Sequence, residues 1–197
     1  MSNLKKNAVG FWLLCLLAPS ALWANPYEAL QSREIKALSA EEVDGLLAGR
    51  GMGMALPAEL HGYPGPMHVL ELADQLSLSP EQLQVTRALF ERMRAEATAL
   101  GERIVEAERA LDRSFADGTI DKAGLEERTG QIATLRGRLR ALHLGYHLDM
   151  HELLDESQRA QYQAARGYDA GGHGGHGGHG GHGGHGGHGG HGGHGGH

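Results

Sequence analysis

The chain of 197 residues is poor in cysteine, in aromatic residues and in runs of basic charge. Its single cysteine, Cys15, lies in an apolar N-terminal stretch. The rest of the chain therefore offers no disulfide, no thiolate metal site and no cysteine nucleophile. Aromatic residues make up only 5%, and Ala, Leu, Glu and Arg dominate residues 25–170, which favours helices over sheets. Because no Lys/Arg-rich run is present, we expect no nucleic-acid partner.

Residues 1–24 are typical of an export signal. Lys5 and Lys6 form a basic start, an apolar stretch begins at Ala8, and Ala24 suits a cleavage position. The apolar stretch is shorter than the roughly 20 residues that a transmembrane helix needs. We therefore expect a periplasmic protein, with an uncleaved inner-membrane anchor as the less favoured alternative.

Capping residues and apolar periodicity predict an all-α fold. Ser39 and Glu42 form a capping box that predicts a short helix over 40–48. Pro66 is placed to open a second short, amphipathic helix over 67–76. These two helices lead into the longer ones that follow.

Two long helices are predicted to form an antiparallel hairpin. The first runs over 80–116 from an N-cap at Ser79, and the second starts near Asp121 after a turn at Gly118. Their apolar residues recur every seven positions, as in a coiled coil. These residues are Leu83, Phe90, Ala97, Ile104 and Leu111 in the first helix and Leu125, Ile132, Leu139, Tyr146 and Leu153 in the second. Asp155 caps a final helix that ends at Gly167.

The pattern divides the chain into four parts: a signal (1–24), a weakly structured segment with a short helix (25–65), a helical-hairpin domain (66–170) and a disordered Gly/His tail (171–197). The short helices cover only part of the hairpin's apolar stripe, so we expect an intertwined homodimer. Gly130, Gly137 and Gly145 are expected to mark close helix contact in the second long helix.

The stretch HLGYHLDMH (143–151) places three histidines four residues apart on one helix, with a methionine beside them. Positions four apart lie on one helix face, and imidazole and thioether groups suit nickel, zinc, copper or cobalt. On the helical wheel, His143 and Met150 border the apolar seam, whereas His147 and His151 turn toward solvent. The strip is therefore either half of a metal site or a core methionine with a polar flank. Further ligands would come from His61, His68, a carboxylate or a second subunit.

The tail repeats Gly-Gly-His nine times. Its histidines are His173, His176, His179, His182, His185, His188, His191, His194 and His197. Glycine prevents a packed core, and clustered imidazoles bind transition metals. We expect a high capacity, a modest affinity per ion, and binding that falls below about pH 6.5, where imidazole becomes protonated. A solubilising low-complexity tail is the alternative.

Two similar segments bracket the predicted hairpin, LSPEQ (78–82) and LDESQ (154–158). They resemble the LTxxQ motif of the Spy/CpxP family of periplasmic stress proteins, with Ser79 and Asp155 at the threonine positions. The stretches YPGPMHVLELADQLSLSPEQ and QYQAARGY are similar to the metal-resistance branch of that family. The resemblance covers residues 39–168 and implies an all-α, often dimeric, non-enzymatic protein.

The same resemblance implies candidate metal ligands. In sensor members a histidine and a methionine one turn apart on the late helix bind the metal, together with histidines from the N-terminal part. Here His143 with His147, or His147 with Met150 and His151, would take the first role, and His61 and His68 the second. The expected function is a heavy-metal sensor or buffer, whose partner would be a membrane signalling protein. The alternative is an ATP-independent chaperone or stress adaptor that binds unfolded clients.

Overall fold

The structure, a computed structural model, describes residues 27–168 except for the side chain of Ala29. This part of the chain is all-helical and contains no strand. Its helices are α1 (Glu28–Gln31), α2 (Ala40–Leu47), α3 (Leu56–Leu60), α4 (Pro66–Glu71), α5 (Pro80–Ala116), α6 (Lys122–Leu153) and α7 (Glu156–Arg166). Within 27–168, none of these helices combines the length and apolar character that crossing a bilayer requires. The predicted signal and the Gly-Gly-His tail lie outside the described residues.

The capping residues predicted from the sequence start the helices where they were expected. The Ser79 hydroxyl accepts a hydrogen bond from Gln82 N (3.1 Å), and the Gln82 side chain accepts one from Ser79 N (3.0 Å). Ser39 and Asp155 form the same capping box at α2 and α7. These contacts span three residues, so local sequence alone determines them. The helices α5 and α6 are the predicted antiparallel hairpin, since the short turn around Gly118 joins them.

The chain folds into two compact units. The first contains the described residues 27–54 and 91–143. Its core cluster is apolar, and Glu108, Ser114 and His143 are also buried in this unit. The core residues are Ile35, Leu38, Leu46, Ala97, Ile104, Val105, Ala107, Ile132, Leu135 and Leu139. Helix α2 approaches α5 closely at Gly101, where an added Cβ would lie 2.0 Å from the Leu46 carbonyl oxygen. At the edge of this core, Arg136 donates to Glu108 across the hairpin (2.9 Å).

The second unit contains the described residues 55–90 and 144–168. Its apolar cluster is smaller and consists of Val69, Leu76, Met150, Leu154 and Tyr162. The buried polar residues Glu59, Thr86, His147 and Gln158 lie in the same unit. Met150 is fully buried (0% exposed), which places it in the core.

The N-terminal segment is more structured than predicted. Residues 27–65 carry α1, α2 and α3, where only one short helix was expected. The segment also divides at Met54, so that its first part packs in the first unit and its second part in the second. The predicted boundary at residue 65 therefore differs from the division into compact units, which falls at Met54. Its glycines suggested a break, but long-range packing decides where these residues belong.

Two further expectations need correction. Helix α4 ends at Glu71 rather than at residue 76, because Ser77 turns the chain back with a φ of +48° and Leu78 N donates to the Ala73 carbonyl (3.2 Å). The three glycines of α6 do not mark a contact among the described residues. Apart from the chain neighbours and the nearby backbone of α6 itself, no described atom lies within 4 Å of a Cβ added at Gly130, Gly137 or Gly145.

Candidate functional site

The histidines of the HLGYHLDMH strip do not lie in one place. His143 belongs to the first unit, and His147 and His151 belong to the second. His143 is buried (3% exposed), and its ring lies over Gly51, where an added Cβ would be 3.8 Å from both Cε1 and Nδ1. The strip therefore supplies two different environments along one helix.

His147 is buried, contrary to the expectation that it faces solvent. Its Nδ1 lies 2.8 Å from the carbonyl oxygen of Tyr63. A carbonyl only accepts hydrogen bonds, so Nδ1 carries the hydrogen and Nε2 has the free lone pair when the ring is neutral. The segment between α3 and α4 packs over this face of α6. Gly65 makes that approach possible, since a Cβ there would lie 2.9 Å from His147 Cε1.

The remaining histidines of the folded part have different exposures. His151 is half-buried, and its ring stacks on Tyr63 with 4.5 Å between centroids and 28° between planes. His68 is half-buried on α4, and His61 is exposed at the end of α3. Of the four histidines in the second unit, two converge on one group, which is Glu59.

Glu59 is a carboxylate buried at the centre of the second unit. Helix α3 turns Leu56 and Leu60 outward, 53% and 58% exposed, and Glu59 inward, 6% exposed. The Glu59 carboxylate accepts hydrogen bonds from Tyr162 Oη (2.5 Å) and Tyr168 Oη (3.3 Å). This inverted arrangement, with leucines exposed and glutamate buried, requires strong partners for the charge.

An arginine and two histidines surround the same carboxylate. Glu59 Oε1 lies 3.2 Å from His68 Nδ1 and 3.3 Å from Arg166 Nε, and Oε2 lies 3.7 Å from His147 Nδ1. The Arg166 contact is an ion pair without hydrogen-bond geometry, and Oε2 has no hydrogen-bond donor among the described residues. The cluster of Glu59, His68, His147, Tyr162 and Arg166, hereafter the Glu59 cluster, therefore links α3, α4, α6 and α7.

The surroundings of Glu59 make it a strong acid. Burial alone, the largest influence, raises its pKa, but hydrogen bonds from His68 and Tyr162 and the charges of His68 and His147 outweigh burial. They hold the pKa of Glu59 at about 2. Burial, reinforced by the neighbouring carboxylate, raises the pKa of Tyr162, so its hydroxyl remains a donor. The Glu59 carboxylate is therefore ionised throughout the neutral pH range.

The Glu59 cluster forms an ionic contact among four helices. Within residues 27–168, no group of three or more His, Cys, Asp or Glu side chains is arranged to hold a metal ion. The nitrogens of His68 and His147 that face Glu59 are the ones already engaged with Glu59 and the Tyr63 carbonyl.

The two LTxxQ-like segments meet directly in the second unit. Gln82 Nε2 donates to Gln158 Oε1 (2.8 Å), and Gln158 Nε2 donates to Gln82 Oε1 (2.9 Å). Each amide also donates to a backbone carbonyl, Gln82 to Leu153 (3.2 Å) and Gln158 to Leu76 (3.3 Å). Each oxygen still completes the capping box of its own helix. Two helix starts are therefore joined by one amide pair.

Sequence reasoning missed both the Glu59 cluster and the amide pair. The amide pair left a signal, because the N3 position is Gln in both segments where Glu would complete a capping box equally well. Glu59 left none, since it is an isolated carboxylate between Ala58 and Leu60. Comparison of the chain with protein-family models, with curated proteins and with solved structures gave no match.

Proposed function

We propose that this protein is exported to the periplasm and binds transition-metal ions there, as a sensor or buffer in metal and envelope-stress resistance. The observation that carries the proposal is the ninefold Gly-Gly-His repeat of residues 171–197. Nine imidazoles within 27 residues are a ligand supply for nickel, zinc, copper or cobalt. Membership of the Spy/CpxP family and a homodimeric state are parts of the same proposal.

The surroundings of the histidines in the folded part favour the tail as the main metal-binding segment. His143 and His147 are buried, and His68 and His147 face the Glu59 carboxylate. Recruiting these residues to an ion would require breaking contacts within the first unit for His143 and within the second unit for His68 and His147. His61, which is exposed, and His151, which is half-buried, do not face the Glu59 carboxylate and are the histidines of the fold that an ion could reach without breaking the Glu59 cluster. We therefore assign the main binding capacity to the tail.

Calorimetric titration with each of the four metals tests this assignment. The chain from Asn25 onward is compared with a variant of the same residues in which all nine tail histidines are glutamine. The variant retains the length and the glycine content of the tail. We expect the variant to lose most of the bound metal while its helical circular dichroism is unchanged. Equal binding by both chains would refute the tail as the binding segment.

A second variant addresses the folded histidines. His61→Gln and His151→Gln together change the two imidazoles of the second unit that lie outside the Glu59 cluster. A loss of one bound ion with higher affinity than the tail would identify a selective site in the fold. Unchanged isotherms would show that the tail accounts for metal binding by itself.

A chaperone function is the second candidate, and one observation favours it. Leu56, Leu60 and Met67 are 53%, 58% and 45% exposed, and all lie in the second unit. Exposed apolar residues of this kind can bind unfolded clients. Suppression of client aggregation by the wild-type chain, and its loss when these three residues are changed to glutamine, would support this function. Full suppression by the triple variant would exclude this surface.

A further inference from the structure

The order of residues in the tail distinguishes it from the histidines of the fold. Each of the eight histidines from His173 to His194 is followed by two glycines. An imidazole followed by two backbone amides is a potential set of three nitrogen ligands. It requires that neither amide be engaged elsewhere and that each amide carry a hydrogen that the metal can displace, and glycine meets the second condition.

None of the folded histidines can offer this set. His61 is also followed by a glycine, but Gly62 N donates to the Glu59 carbonyl (3.1 Å) and Tyr63 N to the Ala58 carbonyl (3.0 Å). His143 and His147 lie within α6, where the helix uses the amides that follow them. In the fold, the amides that follow these histidines already donate hydrogen bonds. The tail adds eight His-Gly-Gly units in which an imidazole is followed by two glycine amides.

Metal ions differ in their demand for such a set. Copper(II) favours a square-planar arrangement of nitrogen and oxygen ligands and can displace the proton of a backbone amide near neutral pH. Zinc favours a tetrahedral set of neutral imidazoles and leaves amides protonated. The His-Gly-Gly order consequently discriminates between ions that the imidazole count alone does not separate.

We propose that each His-Gly-Gly unit of the tail binds one copper(II) ion through its imidazole and the two following glycine amide nitrogens. This assignment rests on the proposed metal-binding function and names copper(II) as the ion that the tail is built to hold. Each ion displaces two amide protons to solvent. The 2+ charge of the ion is balanced by the two amidates, so the bound unit is neutral.

The decisive variant removes the amide hydrogen that copper(II) must displace and keeps the imidazole. Proline has no backbone N–H, so it replaces the glycine directly after each histidine, at Gly174, Gly177, Gly180, Gly183, Gly186, Gly189, Gly192 and Gly195. The matched control carries alanine at the same eight positions and retains every N–H. All three chains start at Asn25 and contain the complete fold. Copper(II) binding is followed by electron paramagnetic resonance, and proton release by titration in weakly buffered solution at pH 7.5.

We expect about eight copper ions and about two released protons per ion for the wild-type tail and the alanine control. The proline variant should bind about four ions or fewer, because only shared imidazoles remain, with little proton release. Its zinc binding should equal that of the wild type. Unchanged copper stoichiometry and proton release in the proline variant would overturn the assignment while leaving metal binding intact. Absence of binding for every metal would instead remove the proposed function itself.

Discussion

The two units of the fold are stabilised in different ways. The first is built around ten buried apolar residues contributed by the N-terminal segment, α5 and α6. The second has five buried apolar residues in its cluster, and its buried polar residues Glu59, His147 and Gln158 complete the interior. Hydrocarbon packing depends little on pH, whereas a buried carboxylate holds its partners only while it is ionised. The first unit buries the Glu108 carboxylate at the edge of its core, and the second buries Glu59 among His68, His147 and Arg166. The comparison predicts that the second unit is the more sensitive to acid.

The largest effect is expected from the apolar core. Ile104→Ala removes a side chain that is 0% exposed and should cost about 4 kcal/mol, the sum of lost burial and a residual cavity. Urea denaturation at pH 7 and at pH 4 should give the same loss. Leu125→Ala, at a position that is 37% exposed, is the matched control and should cost less than about 1 kcal/mol. A loss at Ile104 that changed strongly with pH would contradict the proposed contrast.

The next effect concerns Glu59 and carries the pH dependence. Its pKa in the fold, about 2, is below the ordinary value of 4.5. Its contribution to stability is therefore complete above pH 4.5 and is lost as pH falls from 4.5 toward 2. We expect Glu59→Gln to cost about 3 kcal/mol at pH 7 and to flatten this acid dependence.

Hydrogen exchange followed separately in the two units measures the Glu59 effect. Amides of the second unit should lose protection in the variant, and amides of the first should retain it. Glu126→Gln, an exposed position on α6, should leave both the protection pattern and the acid dependence unchanged. Equal deprotection of both units by Glu59→Gln would show that they unfold as one.

The amide pair should have an intermediate effect. Gln158→Ala deletes two side-chain bonds to Gln82 and one to the Leu76 carbonyl and should cost about 2 kcal/mol. Gln161→Ala changes an exposed glutamine on the same helix and is expected to be within about 0.5 kcal/mol of wild type. Thermal unfolding of both variants compares them, and equal melting temperatures would mean that the pair is not stabilising.

The smallest effect has the opposite sign. Gly137→Ala adds a Cβ into open space on α6 and should stabilise the helix by about 1 kcal/mol. Gly101→Ala is the contrasting variant, since its Cβ would meet the Leu46 carbonyl oxygen at 2.0 Å, and it should destabilise the first unit. If a second copy of the chain packs on the Gly137 face, Gly137→Ala will weaken the dimer, which sedimentation at several concentrations would reveal.

The structural elements that could be predicted are those determined by near neighbours in the chain. Helix α5 covers Pro80–Ala116 as expected, because Ser79 and Gln82 cap its start and Gly118 lies just past its end. The buried seam positions Ala97, Ile104 and Leu139 also follow from the sevenfold spacing.

The features that could not be predicted join distant parts of the chain. His147 is buried by Tyr63, 84 positions away, and Glu59 meets Tyr162 across 103 positions. A helical wheel places a side chain on one face of a helix, but it does not reveal which segment packs against that face. The metal-binding residues remain predictions. The structure adds where His68, His143 and His147 pack and which groups they contact.

The amide pair has a consequence for how the fold assembles. Residues 27–168 contain no cysteine, yet Gln82 and Gln158 fasten together positions that are 76 residues apart. A disulfide at such positions would also restrict the unfolded chain, whereas two amides meet only after the hairpin between them has formed. The pair therefore stabilises the chain only after the loop between Gln82 and Gln158 has closed. Thiol redox conditions do not affect it.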